Sequence, residues 1–524
     1  MTTLRIVRRR LAWYAWLPIE VAIAYVLFAF FTSDVSPYAM FRSLLLTAIS
    51  VGLVTLGLGW LARDMHRGGV ATLLLILAGL EWDSSLGTIA VLAMAVVAIL
   101  LDLLPHRTLG WNSISRSMSV YATALLLVIV SQAALSGRLV QAMSDLQQGT
   151  GLAPSAGEAP GGALPDICVI LVDGYARADT LRDWFKFNET PFTDFLTSRG
   201  FDVVSDSHSN YPATPLTFAS MLNMAYLDQL PQTATVIADS SKNVDPASVG
   251  LFRPVIADNR VFQLARRFGY QVVTVASGFE QVALRKADVY LDGGEINSFE
   301  WQLLAWGGGF TDLITAVVPD LAGSQGRNRL KDEFTELAQV VHSPSMKPRL
   351  TFVHLMNPHP PALFDAAGRP ISPIPAPYLP ETNDPVQART DYAGDVAHLN
   401  NLLQTAIDDV ITATNGRAVI VLMSDHGSRF GTDSHPYERT VESLDNFLAV
   451  RAPGHSGLLA GSPTPVNLFP FLFNAYLGTD LPLQPNRTYM SSIDVPLSLE
   501  EVPLPSGPPL LHDIATSAQA GHSP

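Results

Sequence analysis

The feature that most constrains the fold is the uneven distribution of apolar residues along the chain. Predominantly apolar runs dominate the sequence before residue 137, and a membrane span needs ~20 such residues. We predict five transmembrane helices, at 11–32, 42–62, 69–82, 86–104 and 118–136. The third run is the shortest. Residues 1–137 are therefore expected to form an all-α transmembrane domain.

Basic residues lie in alternate connections of this predicted bundle. They precede the first run and separate the second from the third and the fourth from the fifth: Arg8, Arg10, Arg63, Arg67, Arg107 and Arg116. Positive charge favours the cytoplasmic side of a cytoplasmic (inner) membrane. The N-terminus is then cytoplasmic, and five spans place everything after residue 137 on the extracytoplasmic, or periplasmic, side. This alternation is the reason for counting the third run as a span.

The remainder of the chain divides by composition. Residues 138–165 are rich in Gly, Ala, Pro and Ser, as linkers are. Residues 166–498 resemble a soluble domain, and residues 499–524 form a Pro- and Ser-rich tail expected to be partly disordered. The net charge is −14 without a block of Lys and Arg, so no nucleic-acid partner is expected. The single cysteine, Cys168, excludes an internal disulfide and a thiolate metal cluster.

Strand and helix patterns alternate within residues 166–498. Continuous apolar runs predict buried strands at 167–172, 270–276, 349–355 and 418–423, and helical patterns occur at 190–199, 259–268 and about 391–412. This alternation predicts an α/β sandwich with a mostly parallel sheet. Ligands of such sheets bind beyond the carboxyl ends of the strands. Polar residues that follow different strands can therefore converge on one site.

Two of these strand ends carry candidate metal ligands. Asp173 follows the first strand, and Asp425 with His426 follows strand 418–423. Carboxylate and imidazole ligands together suit Zn²⁺ or Mn²⁺ better than Ca²⁺, which prefers oxygen alone. An ordinary Asp-Gly turn remains the alternative interpretation of Asp173.

A third candidate, Thr214, lies at a predicted helix start. It precedes Pro215 and an apolar helical pattern, so we predict that Thr214 is the N-cap and Pro215 the first helical residue. The simpler interpretation is an ordinary helix cap. The functional interpretation is that a hydroxyl at a helix N-terminus, where phosphate is attracted, becomes a nucleophile when a metal lowers its pKa.

Three histidines and one arginine extend the candidate site. His359, between prolines after strand 349–355, can bind a phosphoryl oxygen or protonate a leaving group. His354 lies within that strand and is either a substrate-binding residue or part of the core. His435 and Arg429 follow Asp425 in a loop, where they either contact substrate or are simply solvated.

The chain resembles the alkaline phosphatase superfamily over roughly residues 165–495. The resemblance rests on five segments in order: VILVDGYARAD, SNYPATPLTFASMLN, FVHLMNPHPP, VLMSDHGS and TPVNLFPFLFNAYLG. It is strongest with the membrane-anchored, sulfatase-like branch, which includes lipoteichoic acid synthases and lipid A phosphoethanolamine transferases. The arrangement of about five N-terminal spans before an extracytoplasmic catalytic domain is also similar to those transferases.

This resemblance implies roles for individual residues. Asp173, Thr214, Asp425 and His426 would hold one divalent metal. Thr214 would also form a covalent phospho-threonine intermediate, and His359 would bind the phosphate or assist the leaving group. The transferases and synthases of this branch have Glu at the position of Asp173. Type I sulfatases use a modified Cys or Ser where this chain has Thr214, which argues against sulfate ester hydrolysis.

The resemblance therefore implies a phospho-headgroup transferase. A phosphoglycerol or phosphoethanolamine group would pass from a membrane lipid donor to a glycan or lipid acceptor. A phosphodiesterase or sulfatase-like hydrolase of the same fold is one alternative. A catalytically inactive membrane binding protein is another, and the presence of Asp173, Thr214, Asp425 and His426 argues against it.

Overall fold

The chain forms two compact units. Unit 1 comprises Met1–Gly151, Ile296–Ala322 and Pro375–Pro377, and unit 2 comprises Leu152–Glu295, Gly323–Ile374 and Tyr378–Pro524. Apart from isolated positions, the computed structural model describes residues 16–32, 37–80, 164–230, 252–305, 316–374, 385–428, 436–459, 464–491 and 497–503.

Helices occupy most of the first three predicted spans, within the residues that are described. They are α1 (Leu17–Thr32), α2 (Pro37–Leu61) and α3 (Met65–Leu80), which pack against one another. Among the described residues, one helical stretch, Met40–Leu61, is long and apolar enough to cross a membrane, whereas Leu17–Phe30 and Met65–Ile76 are shorter. The predicted spans at 86–104 and 118–136 lie outside the described residues except for isolated positions, so the five-helix bundle stays a prediction.

A seven-stranded sheet forms the centre of unit 2. Its strands lie in the order β2-β7-β6-β1-β5-β3-β4. The strands are β1 (Ile167–Val172), β2 (Phe201–Val203), β3 (Gln271–Val275), β4 (Val289–Leu291), β5 (Arg349–Leu355), β6 (Val419–Met423) and β7 (Leu448–Arg451). The five strands from β6 to β4 are parallel, and β7 runs antiparallel to both β6 and β2. The predicted mostly parallel sheet is confirmed, and the four predicted strands agree within one residue at each end.

The remaining helices complete the two units. They are α4 (Ala178–Phe185), α5 (Thr190–Ser198), α6 (Thr214–Asn223), α7 (Arg253–Ala257), α8 (Arg260–Arg267), α9 (Ser298–Ala305), α10 (Leu321–His342), α11 (Pro385–Ala413), α12 (Pro436–Leu444) and α13 (Pro465–Leu477). Two short strands, β8 (Thr488–Met490) and β9 (Glu500–Val502), pair separately. β9 lies at the start of the predicted tail, and residues from 504 lie outside the described part of the chain.

Helices cover both faces of the sheet, which explains why its central strands are apolar throughout. Val169 and Leu171 of β1 pack with residues of α6, α8 and α13 on one face. Ile170 and Val172 pack with residues of α4, α5 and α11 on the other. A strand buried on both sides alternates between two cores and needs no polar positions. Cys168 is one of these buried residues, as predicted.

The register of the central strands determines where their following residues lie. Val172 at the end of β1 is opposite Leu355 at the end of β5, and Leu171 is opposite Met423 at the end of β6. The three strands are parallel neighbours, so they end at the same edge of the sheet. The residues that follow them therefore meet there, as expected for a binding site in this architecture.

Candidate metal centre and active site

Three buried side chains meet at this edge of the sheet. Asp173 follows β1, and Asp425 and His426 follow β6; all three are 1% exposed or less. His426 Nε2 lies 3.4 Å from Asp173 Oδ1 and 3.4 Å from Asp425 Oδ2. The ligand atoms of the three residues all lie within 4.8 Å of one another. The sheet therefore brings together the two carboxylates and the imidazole that the sequence placed at strand ends.

Thr214 faces this group from the first turn of α6. Its hydroxyl donates to Asp173 Oδ2 at 3.2 Å and lies 3.4 Å from His426 Nε2. The predicted position of the helix start was wrong by one residue: Ala213 is the N-cap and Thr214 the first helical residue. The physical reason is that the Thr214 hydroxyl bonds to the carboxylate, so it does not cap the backbone of α6.

The donor set fits one divalent ion. Asp173 Oδ1 and Asp425 Oδ2 are buried without a hydrogen-bond partner among the described residues, which is costly unless a cation meets them. His426 Nδ1 lies 2.7 Å from the Gly427 carbonyl oxygen, so Nδ1 carries the proton and Nε2 offers a lone pair to the centre. Two carboxylates, one imidazole and one hydroxyl are a donor set for Zn²⁺ or Mn²⁺.

The two carboxylates also repel one another. Burial, and then the charge of Asp173, raise the pKa of Asp425 to about 7. Burial also raises the pKa of Asp173, but His359, His354 and His426 outweigh it, and that pKa lies below its usual range. A pair of adjacent buried carboxylates is stabilised by a cation between them.

Glycines beside the ligands allow this close packing. Gly174, after Asp173, has a φ of +67°, and its N–H donates to Asp425 Oδ1 at 3.1 Å. A Cβ at Gly427, after His426, would lie 2.0 Å from the backbone oxygen of Glu442 in α12. Each Gly therefore has a steric role at its strand end.

The histidines of the 349–361 region lie beside the three candidate ligands. His354 Nε2 is 3.5 Å from Asp173 Oδ2, and His354 Nδ1 is 2.8 Å from Ser277 Oγ. The ring of His359, which is partly exposed, lies 6.4 Å from that of His426. His354 is buried in its strand and also contacts Asp173, and its role in substrate binding stays a prediction. His435 and Arg429 lie outside the described residues.

The sequence did not reveal two residues that support the site. Ser277 follows β3 and orients His354 through the 2.8 Å contact. Asp395 of α11 is buried and accepts hydrogen bonds from both ends of the loop that carries His359. A signal for Asp395 did exist, because this carboxylate lies on the apolar face of α11 beside Tyr392, Val396 and Leu399.

Several solved structures resemble the chain. The C-terminal periplasmic domain of EcEptC from Escherichia coli has 13% sequence identity and a TM-score of 0.43, covering 66% of this chain and 94% of that chain. The soluble domain of lipooligosaccharide phosphoethanolamine transferase A from Neisseria meningitidis has 14% identity and a TM-score of 0.39, with 61% and 89% covered. The integral membrane form of the Neisseria meningitidis protein has 13% identity and a TM-score of 0.38, with 88% and 95% covered.

No curated protein sequence matches the chain. The family model described as Sulfatase matches residues 165–450, which is more than half of the 524 residues. The matched region contains the strand ends with Asp173, Asp425 and His426, together with Thr214 and both histidines of the 349–361 region. The chain therefore belongs to the sulfatase family, a family of enzymes within the alkaline phosphatase superfamily.

Proposed function

We propose that this protein is a membrane-bound, metal-dependent transferase that moves a phosphoglycerol or phosphoethanolamine headgroup through Thr214. The observation that carries the proposal is the position of the Thr214 hydroxyl, 3.2 Å from Asp173 Oδ2 and 3.4 Å from His426 Nε2. A hydroxyl in the first turn of a helix lies where backbone N–H groups attract a phosphate. The residue is a threonine, whereas type I sulfatases use a modified Cys or Ser.

Asp173, Thr214, Asp425 and His426 would hold one divalent ion, Zn²⁺ or Mn²⁺. When bound, the ion supplies positive charge that lowers the pKa of the Thr214 hydroxyl and offsets the charge of a phosphate. Asp173 Oδ1 and Asp425 Oδ2, which have no hydrogen-bond partner in the described part of the chain, support this assignment. The burial of all four side chains also keeps competing water away from the reacting hydroxyl.

The reaction has two halves. Before the donor binds, Thr214 loses its proton to solvent; in the first half Oγ1 then forms a bond to phosphorus, and the bond from phosphorus to the lipid oxygen breaks. His359 protonates the departing lipid alcohol. In the second, an acceptor hydroxyl gives its proton to His359 and bonds to phosphorus, and the Thr214–phosphorus bond breaks, which leaves Oγ1 deprotonated for the next cycle. His359 suits this role because its partly exposed ring exchanges protons with water. His354, His435 and Arg429 are proposed to contact the substrate.

We further propose a cytoplasmic-membrane location with five spans, a cytoplasmic N-terminus and a periplasmic catalytic domain. The apolar stretch Met40–Leu61 and the arginines in alternate loops support it. The contact between α9 and Arg42 supports it as well, because α9 follows the predicted bundle in sequence. Arg42 lies near the start of α2, whereas Arg63, in a loop predicted to be cytoplasmic, follows the other end of α2. Membrane anchoring would bring the site to a lipid donor and to a glycan or lipid acceptor.

Hydrolysis by the same residues is the second candidate, because membership of the sulfatase family favours it. Water would then replace the acceptor in the second half of the reaction. The product separates the two candidates: a transferase yields an acceptor that carries the headgroup, whereas a hydrolase yields free headgroup.

The test uses the full-length protein in lipid nanodiscs that contain phosphatidylglycerol or phosphatidylethanolamine with a radiolabelled headgroup. Thr214→Ala is expected to abolish turnover, and Thr214→Ser to retain part of it. Thr412→Ala is the control, because this exposed threonine of α11 bonds its own helix at Asp408. Full turnover by Thr214→Ala would contradict the proposal. Free headgroup without a labelled acceptor would replace the transferase with a hydrolase.

A further inference from the structure

Residues 296–322 follow β4 in sequence but belong to the compact unit of α1–α3. Their helix, α9, is fixed there by Phe299, which is fully buried. The Phe299 ring meets that of Phe30 at 6.4 Å with an edge-to-face angle of 82°, in a cluster with Val26 and Ala29 of α1. A segment inserted between two elements of unit 2 is thus packed into the apolar helices of unit 1.

An ion pair fixes the start of α9. Arg42 Nε donates to Glu300 Oε1 at 2.6 Å, and Arg42 Nη2 contacts Glu300 Oε2, so the pair is bidentate. Glu300 also forms a capping box with Asn297: each side chain accepts from the other's backbone N–H, at 3.1 and 3.0 Å. Bidentate pairs with a mostly buried carboxylate are stronger than exposed pairs. Substitution of Arg42 should therefore loosen α9.

The position of Arg42 places α9 at one end of the apolar helix. Arg42 is the third residue of the stretch Met40–Leu61, whose outer surface carries exposed apolar side chains such as Leu46 and Leu53. If this stretch crosses a bilayer, α9 lies where hydrocarbon meets water. Trp301, half-buried on α9, is a residue type that concentrates at this boundary.

The second half of the segment exposes apolar residues. Val317 is 74% exposed and Val318 is 42% exposed, in a helical turn in which Val318 N donates to Ile314 O at 2.7 Å. Ala316 and Pro319 beside them are also exposed. Adjacent exposed apolar side chains mark a contact surface. Because this turn belongs to the same unit as the exposed apolar side of α2, the occupant that both surfaces fit is lipid.

We propose that α9 and the turn at 316–319 form an interfacial arm that sits on the outer leaflet of the bilayer. Arg42 and Glu300 fasten the arm to the start of α2, and Val317 and Val318 insert among the lipid chains. The inference rests on the proposed membrane anchoring and does not depend on the proposed reaction. It can therefore be tested without any measurement of activity.

The experiment places a fluorophore on single cysteines of the full-length protein in phosphatidylcholine vesicles. Cys168 is buried and its thiol pKa is raised to about 12, so the unsubstituted protein measures background labelling. The arm is labelled in Val317→Cys. Leu53→Cys reports the middle of α2, and Met346→Cys, at a fully exposed position of unit 2, reports water. The quenchers are bromine along the lipid chains, from near the headgroup to the bilayer centre, and iodide in the buffer.

Bromolipid is expected to quench the labels at positions 53 and 317. Iodide is expected to quench the label at position 346. Arg42→Gln should reduce lipid quenching at position 317 at least twofold. Arg42→Lys should reduce it less, and Arg63→Gln, at the far end of α2, should leave it unchanged. The proposed arm would be refuted, but not the membrane anchoring, if iodide quenched the labels at positions 317 and 346 equally while lipid still quenched the label at position 53.

Two further outcomes would also overturn the inference. If lipid does not quench the label at position 53, both the proposed membrane anchoring and the proposed arm are refuted. A label at position 317 that neither quencher reaches would mean that protein, such as a second copy of the chain, covers the arm. The proposed transferase chemistry is judged separately, by Thr214→Ala in the turnover assay.

Discussion

Replacement of Asp395 by Ala tests how the loop that carries His359 is held. Asp395 Oδ2 accepts from Asn357 Nδ2 at 2.8 Å and from Leu363 N at 3.2 Å, and Oδ1 accepts from Phe364 N at 3.2 Å. These donors lie before and after His359 in the chain. Asp395 is 1% exposed, so no water replaces it readily when it is removed.

The structure sets the size of the expected effect. Alanine leaves three donors without their acceptor, and at ~1 kcal/mol for each hydrogen bond the folded state loses about 3 kcal/mol. A displacement of His359 by about 1 Å is expected to lower kcat by ~10²-fold. Because Asp395 lies outside the proposed ligand set, metal content should not change. Asp395 is thus predicted to position His359 without forming part of the metal centre.

The assay combines headgroup turnover in nanodiscs with elemental analysis of the purified protein. Asp395→Ala should lower kcat with little change in KM and in the metal-to-protein ratio, and Asp395→Asn, which keeps one acceptor oxygen, should retain more activity. Asp408→Ala is the control on the same helix, because Asp408 pairs with Arg199 at the surface. Wild-type kcat in Asp395→Ala, or metal lost in proportion to activity, would refute this reasoning.

Three further changes have defined outcomes. Gly427→Ala should lower the free energy of unfolding by about 1–3 kcal/mol and weaken metal retention, because the new Cβ meets the Glu442 carbonyl oxygen. Gly57→Ala is the control, because a Cβ there has nothing within 4 Å. Equal melting temperatures and metal contents in the two variants would refute this prediction. Burial raises the pKa of Glu189 from 4.5 to about 7. The contribution of this carboxyl to the free energy of unfolding is therefore fully present below pH 4.5, and about 3 kcal/mol of it is lost as the pH rises through 7. Denaturant unfolding of Glu189→Gln should lack that fall. Chelation with EDTA should lower the melting temperature, because the carboxylates of Asp173 and Asp425 lose their cation, and Zn²⁺ or Mn²⁺ should restore it; an unchanged melting temperature would count against the metal centre.

The sequence predicted the centre of the fold because that signal is local. The strands that position Asp173, Asp425 and His426 are buried on both faces, so they appear as continuous apolar runs. The strands of the central sheet that were missed, β2, β4 and β7, have only three or four residues. A run of that length has no distinguishable period. α11 was expected at about 391 and begins at Pro385, because Pro is compatible with a first helical turn.

The supporting contacts could not be predicted because they depend on residues far apart in sequence. Asp395 meets a loop more than 30 residues away, and Glu300 meets Arg42 across 258 residues. Within its own segment, SFEWQLLA, Glu300 is an ordinary acidic residue in the first turn of a helix. The position of residues 296–322 in unit 1 therefore follows from tertiary packing, which no local pattern records.

The central claim is that Thr214 carries the headgroup between donor and acceptor. The most direct measurement is mass spectrometry of the protein after incubation with lipid donor and a rapid acid quench. A phosphoglycerol or phosphoethanolamine adduct on Thr214 is predicted, absent in Thr214→Ala and after treatment with EDTA. Turnover of the donor by the wild-type protein with no adduct on Thr214, or with the adduct on another residue, would contradict it.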